Sequence, residues 1–356
     1  MTRDELRAAI LDFIDAHAEG DRDDATLDTL LRELADFQAR HIAAYAKLAS
    51  RAHGALPAAV PTDVFRYARL AVHPPEGDAR VFLTSGTTLG DRGAHAFRDL
   101  TLYDRAAEHH ARRFLFPDAR RLRLFLLTPP PSESSESSLG YMLSRFTAWF
   151  GAGHLHYVSG GTLDADALAA DLGEAEARGE PVALLGTSFA FVHAEDALGG
   201  RTFRLPEGSR VMQTGGFKGR TREIEPVEMR RLLSTRYGID ENRVVSEYGM
   251  TELSSQFYEP TLRASLLGEA IPARRYVPPA WVRALVVSPE TLEPLPDGEL
   301  GLLRIDDLAN LDSIACIQTS DLARKVEGEI ELLGRAPGAT PRGCSLAIEE
   351  MLGGKA

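Results

Sequence analysis

Apolar positions near the start of the chain recur every three and four residues at Leu6, Ile10, Phe13, Ile14 and His17. They pause around Gly20 and resume at Leu27, Leu30, Leu31, Leu34, Phe37, His41, Tyr45 and Leu48. This spacing lines one face of a helix, so the chain should open with a short helix followed by one long helix, neither carrying evident chemistry. From Val81 the period changes. Short apolar runs (VFLT, LRLFLLT at 122–128, HLHYV, VALLGT at 182–187, RVMQT, RVVSEY) alternate with helix-period segments at 99–114, 164–178 and 225–237. Alternation of this kind predicts βαβ units and a largely parallel sheet. After Pro278 strand-like runs follow one another directly (WVRALVV, LGLLRI, IACIQT, IELLG), separated by PDGE and EGE turns. An antiparallel sheet or small barrel ending near Gly334 is expected there. The chain thus reads as an α/β protein with a helical segment at 1–60, an α/β core at 61–275, a small β subdomain at 276–335 and a tail at 336–356. The polar, proline-led stretch PPPSESSESS at 129–138 reads as a mobile surface loop, and there is no internal repeat.

A chain of 356 residues, 44% of them hydrophobic, can bury a large core. Its net charge of -12 and its lack of any Lys/Arg block exclude nucleic acid as an expected partner. Charges run throughout the apolar pattern of the N-terminus and no apolar run reaches membrane-spanning length, so a cytoplasmic protein with no membrane span is expected. Two cysteines, Cys316 and Cys344, are too few for a disulfide framework or a cysteine-built zinc site. The apolar strand around Cys316 marks it as structural.

Three stretches carry candidate chemistry. Residues 84–95 read TSGTTLGDRGAH, directly after an apolar strand. Glycines there let backbone N–H groups and hydroxyls turn toward an anion. Asp91-Arg92 follow Gly90 where a Walker loop needs Lys-Ser/Thr, so this is not a P-loop NTPase. Residues 246–253 read SEYGMTEL, in which Glu252 supplies a hard oxygen for Mg2+, Thr251 a hydroxyl for phosphate and Tyr248 a ring face. Residues 319–321 read TSD, with Gly334-Arg335 at the end of the next strand pair; Asp321 suits vicinal hydroxyls, and Arg335 can reach the same sugar or a phosphate. Each stretch alone also fits an ordinary turn or strand exit.

In this order the motifs resemble the adenylate-forming superfamily of acyl-CoA synthetases, adenylation domains and luciferase-type ligases. The stretches VPTDVF at 60–65, LLGTSFAFVH at 184–193, QTGGFKGR at 213–220 and the ending GRAPGATPRGCSL are similar to the acyl-protein synthetases within it. The resemblance implies the large N-terminal domain of that fold, mainly parallel sheets flanked by helices with a small antiparallel sheet or barrel, the mobile C-terminal lid domain being largely absent. It implies use of ATP and Mg2+ to convert a carboxylic acid, a fatty acid in this family, into an acyl adenylate. The acyl group then passes to a cysteine thiol, with a reductase or carrier protein as a further acceptor. Ser85, Gly86, Thr87 and Thr88 would hold phosphate, and Gly215, Gly216, Tyr248, Gly249, Asp321 and Arg335 the rest of the nucleotide. Glu252 would hold Mg2+ beside Thr251. Arg92 and Lys218 are the candidate cations, since the lysine of the lid has no counterpart. Gly186, Phe189, Phe191, His193 and Phe217, with the paired glycines, would line the acyl pocket. Cys344 sits where the family carries its acceptor cysteine, with Arg342 and a following helical stretch to lower its pKa. Two alternatives stay open: a ligase of the same superfamily that acylates coenzyme A or a carrier protein, and a non-catalytic binder of nucleotide or acyl groups.

Overall fold

In the computed structural model the described residues are 1–51, 56–84, 92–215, 224–336 and 351. Helix Arg3–Ala16 opens on a capping box in which Thr2 and Glu5 each accept the other's backbone N–H. The long apolar stripe that follows is not one helix. It divides at Ile42 into Asp24–His41 and Ala43–Ala49, Ile42 taking φ -114° and ψ 97°. His41 is exposed and Ile42 is buried, so the stripe steps by one residue where the backbone opens. A β-branched side chain tolerates that extended geometry readily.

The chain folds as two units, each discontinuous in sequence. One comprises Met1–His109, Met250–Gln256 and Arg275–Ala356; the other comprises His110–Gly249 and Phe257–Arg274.

In the first unit Val282–Val287, Gly301–Asp307, Cys316–Val326 and Glu329–Arg335 form consecutive antiparallel pairs. Val60–Pro61 adds to Cys316–Val326 in parallel, and the sheet is open among the described residues, not a closed barrel. The N-terminal helices are tied to this unit by polar side chains. The buried Gln38 donates to the Asn310 carbonyl at 2.7 Å and accepts from the Ala315 N–H at 3.0 Å. Arg3 forks onto Asp312 at 2.7 and 2.9 Å. Cys316 is buried, and burial pushes its thiol well above the ordinary range. A separate hairpin, Arg80–Leu83 with Ala94–Phe97, carries the start and end of the glycine-rich loop.

The second unit is built on a six-stranded sheet in the order Phe257–Tyr258, Val244–Tyr248, Arg210–Thr214, Val182–Thr187, Leu122–Leu127, Gly151–His156. Only the first pairing is antiparallel. Val182–Thr187 and Leu122–Leu127, in the middle of the sheet, are largely apolar and buried on both faces. Leu168 and Leu172 of Ala165–Arg178, Phe191 and Leu198 of Ser188–Leu198, and Met229 and Leu233 of Pro226–Tyr237 pack on Phe125, Leu184, Val211 and Val244. The segment after Pro129 is pinned at Glu133, which accepts from Ser159 Oγ at 2.6 Å and the Gly160 N–H at 2.8 Å. Ser137 then caps helix Ser138–Phe150. Among the described residues no helix is long and apolar enough to cross a membrane.

Candidate active site

The parallel strands of the second unit all end at one edge, where open α/β sheets bind their ligands. Thr187, Thr214 and Glu247 stand in register there, followed in the chain by Ser188, Gly215 and Tyr248. Gly215 has φ +74°, in the left-handed region that favours glycine, and its carbonyl accepts from Ser188 Oγ at 2.8 Å. Gly186 is buried within its strand, where an added Cβ would stand 2.7 Å from Cβ of Leu127, so the neighbouring strand itself demands glycine. The Tyr248 ring lies 5.6 Å from that of Phe257, and Gly249 closes this stretch of the unit.

Helix Ser188–Leu198 is capped by Thr187, which accepts from the Ala190 N–H at 3.1 Å. Of its expected acyl-pocket residues, Phe189 is half-buried and meets the His193 ring edge-on at 4.5 Å. His193 itself is exposed, and Phe191 lies within the packed core.

Glu247 was not singled out in the sequence, yet it is 5% exposed and accepts a hydrogen bond from Thr214 Oγ1. Burial pushes its carboxyl up to about 7, against the opposing effect of that bond. The only sequence signal is a carboxylate placed in an otherwise strand-like run, VVSEY.

In the first unit, residues 250–256 are held by side chains to which the motifs gave no role. The Thr251 carbonyl accepts from His95 Nδ1 at 2.7 Å, and the Glu252 carbonyl accepts from Asn310 Nδ2 at 2.9 Å. Asn310, wholly buried, also donates to the Ile314 carbonyl at 3.0 Å and accepts from Ser254 Oγ at 2.6 Å. Asp307 accepts the N–H groups of Ser254 and Ser255 at 3.1 and 2.9 Å and Ser255 Oγ at 2.8 Å. Burial raises Asp307 to about 6 although these hydrogen bonds pull the other way. Glu252 is buried on this fixed backbone.

The group Glu252 would hold fits that arrangement. Among the described residues no cluster of three or more His, Cys, Asp or Glu side chains could hold a metal ion. Mg2+ characteristically takes one or two carboxylates and completes its shell with water and substrate phosphate, so a single buried carboxylate matches it.

Asp321 and Arg335 are register partners on adjacent strands, with Arg335 Nε donating to Asp321 Oδ1 at 3.3 Å. The Asp321 N–H donates to Thr319 Oγ1 at 3.1 Å, and Thr319 Oγ1 donates to the Leu303 carbonyl at 2.7 Å. Arg92 Nε donates to the Thr84 carbonyl at 2.7 Å, and Gly93 N–H to Thr84 Oγ1 at 2.8 Å, so Arg92 helps close the stem of the glycine-rich loop. Ser85, Gly86, Thr87, Thr88, Gly216, Phe217, Lys218 and Cys344 lie outside the described residues.

The family profile for acyl-protein synthetase, LuxE, matches residues 56–353. Two curated relatives are long-chain-fatty-acid–luciferin-component ligases. The one from Aliivibrio fischeri is 26% identical over 161 residues, 42% of this chain and 40% of the relative. The one from Vibrio harveyi is 24% identical over 204 residues, 53% of this chain and 50% of the relative. The chain therefore spans half or less of the length of these relatives. Among solved structures, an open conformation of 2-hydroxyisobutyryl-CoA ligase, in complex with 2-HIB-AMP and CoA, superimposes with a TM-score of 0.66 at 14% identity, covering 92% of this chain and 79% of that one. ATP-bound MatB from Rhodopseudomonas palustris gives a TM-score of 0.51 at 16% identity, over 74% of this chain and 49% of that one. At such identities the likeness is one of fold, an adenylate-forming α/β architecture. The profile match covers most of the sequence, and the chain belongs to the acyl-protein synthetase, LuxE, family.

Proposed function

We propose that the chain uses ATP to activate a carboxylic acid, a long-chain fatty acid in the first instance, as its acyl adenylate. The acyl group then passes to the thiol of Cys344, to a partner protein, or to both in turn. The observation that carries this reading is the Thr251-Glu252 pair, which lies within the span matched by the family profile on a backbone tied at both residues by buried side chains. The fatty acid, and an acyl-accepting partner such as a reductase, are suggested by the names of the curated relatives.

In the first step a carboxylate oxygen of the substrate attacks the α-phosphorus of ATP, and the bond to pyrophosphate breaks. The hydroxyls of Thr251, Ser85, Thr87 and Thr88 would donate to phosphate oxygens, with Arg92 and Lys218 as the candidate cations. Glu252 would hold Mg2+, which when bound neutralises phosphate charge. Asp321 would accept from ribose hydroxyls beside Arg335, and Tyr248 would offer its ring to the base. Positioning and charge neutralisation carry most of the catalysis in such transfers. In the second step a thiolate attacks the acyl carbonyl carbon, and AMP leaves with the electron pair of the C–O bond.

The test is incubation with Mg2+-ATP and a panel of fatty and aryl acids, following acid-dependent pyrophosphate exchange and intact mass. Exchange with a fatty acid is expected, together with a hydroxylamine-labile mass gain that disappears in Cys344→Ala. Exchange without mass gain directs the acyl group to coenzyme A or a carrier protein instead. Glu252→Ala should abolish exchange with an unchanged circular dichroism spectrum. No exchange with any acid would defeat the reading and leave a binder.

A further inference from the structure

The hairpin of the first unit places His95, the last residue of the glycine-rich stretch 84–95 and one to which the motifs gave no role, against the Thr251-Glu252 pair. His95 is 1% exposed, its ring centroid 4.1 Å from that of Phe97 and 6.1 Å from that of Phe65. A carbonyl only accepts hydrogen bonds, so the 2.7 Å contact to the Thr251 carbonyl puts the proton on Nδ1 and leaves the lone pair on Nε2. Nε2 is buried with no hydrogen-bond partner among the described residues. Burial keeps this imidazole neutral, pushing its pKa down to about 4. Burying the ring carries a desolvation cost that its Nδ1–H bond to the Thr251 carbonyl offsets in part.

That hydrogen bond has a geometric consequence. The Thr251 carbonyl belongs to the peptide plane entering Glu252, and the Glu252 carbonyl to the plane leaving it. His95 holds the first and Asn310 the second. Fixing both planes fixes φ and ψ of Glu252 and hence the direction of its Cα–Cβ bond. Resting on the reading of Glu252 as the metal-holding carboxylate, we infer that His95 is a positioning residue that aims Glu252 through its Nδ1–H bond to the Thr251 carbonyl.

His95→Leu keeps a branched side chain and removes the donor, whereas His95→Asn presents an amide N–H as many bonds from the backbone as Nδ1. Each purified variant is checked for fold and melting temperature. Pyrophosphate exchange is then measured against Mg2+ concentration at saturating ATP and acid. In His95→Leu the maximal rate should fall about tenfold and the Mg2+ requirement for half-maximal rate should rise by a similar factor, the size expected for losing one buried hydrogen bond. His95→Asn should recover most of both. Should His95→Leu fail to fold, His95→Gln, whose amide reaches beyond the carbonyl, should show the same loss. The inference is overturned if the donor-lacking variant matches wild type, if it and the asparagine variant are equally impaired, or if only the melting temperature moves. Wild type that exchanges with no acid overturns the functional reading and this inference together. Wild-type exchange that is abolished by Glu252→Ala but untouched by His95→Leu overturns this inference alone.

Discussion

Glu247 offers the sharpest test of the energetics. Its carboxyl sits at about 7 in the folded chain, against an ordinary value of 4.5, because burial penalises the charged form and only Thr214 donates to it. Below about pH 4.5 the group is protonated in both folded and unfolded chains and does not oppose folding. Between 4.5 and 7 the unfolded chain ionises first, so stability falls as pH rises, and above 7 the full penalty is present. At roughly 1.4 kcal/mol per pH unit, the gap amounts to about 3 kcal/mol. Glu247→Gln keeps an oxygen for the Thr214 hydroxyl and cannot ionise. Urea unfolding of both proteins at pH 5 and pH 8.5 should therefore show the variant gaining about 2.5 kcal/mol on wild type at the higher pH relative to the lower, part of the penalty being present already at pH 5. Asp307, also raised by burial, contributes equally to both proteins and cancels in the comparison. Parallel pH profiles for wild type and variant would refute the reasoning, since they would mean that Glu247 is already solvated or paired in the native state.

Two further outcomes follow from the packing. Asn310→Ala removes the partners of the Glu252 and Ile314 carbonyls and of Ser254 Oγ at once, so it should lower stability by about 3 kcal/mol or more, read as a shifted urea midpoint. Gly186→Ala drives a Cβ to within 2.7 Å of Leu127 and should cost about 1–3 kcal/mol, read the same way; a stable variant with altered acid preference would instead support a pocket role for this glycine.

The period changes along the chain were enough to announce the architecture. Largely apolar runs such as VALLGT became central parallel strands, buried on both faces. The break at Ile42 was not legible, because one helical stripe runs through His41 in sequence while burial selects its neighbour. In the candidate site, Thr251, Glu252, Asp321 and Arg335 were visible because motif spacing is local. What holds them was not. His95 and Asn310 lie far along the chain from residues 251 and 252, and their roles reside in single bonds to backbone carbonyls. A carbonyl is common to every residue, so no pattern of side chains reveals which one will be claimed. Phe191 carries a related ambiguity: an aromatic in a motif-like stretch reads equally well as a pocket wall or as core, and here it packs in the core cluster of the second unit.

The burial of Cys316 makes this chain a ready instrument. With only two cysteines, one sealed in a sheet and held protonated, a maleimide consumed under native conditions reports on position 344 alone. A label reaches Cys316 only when the sheet around it opens. The time that label takes is a clock for the opening of this sheet, readable by mass without any engineered probe.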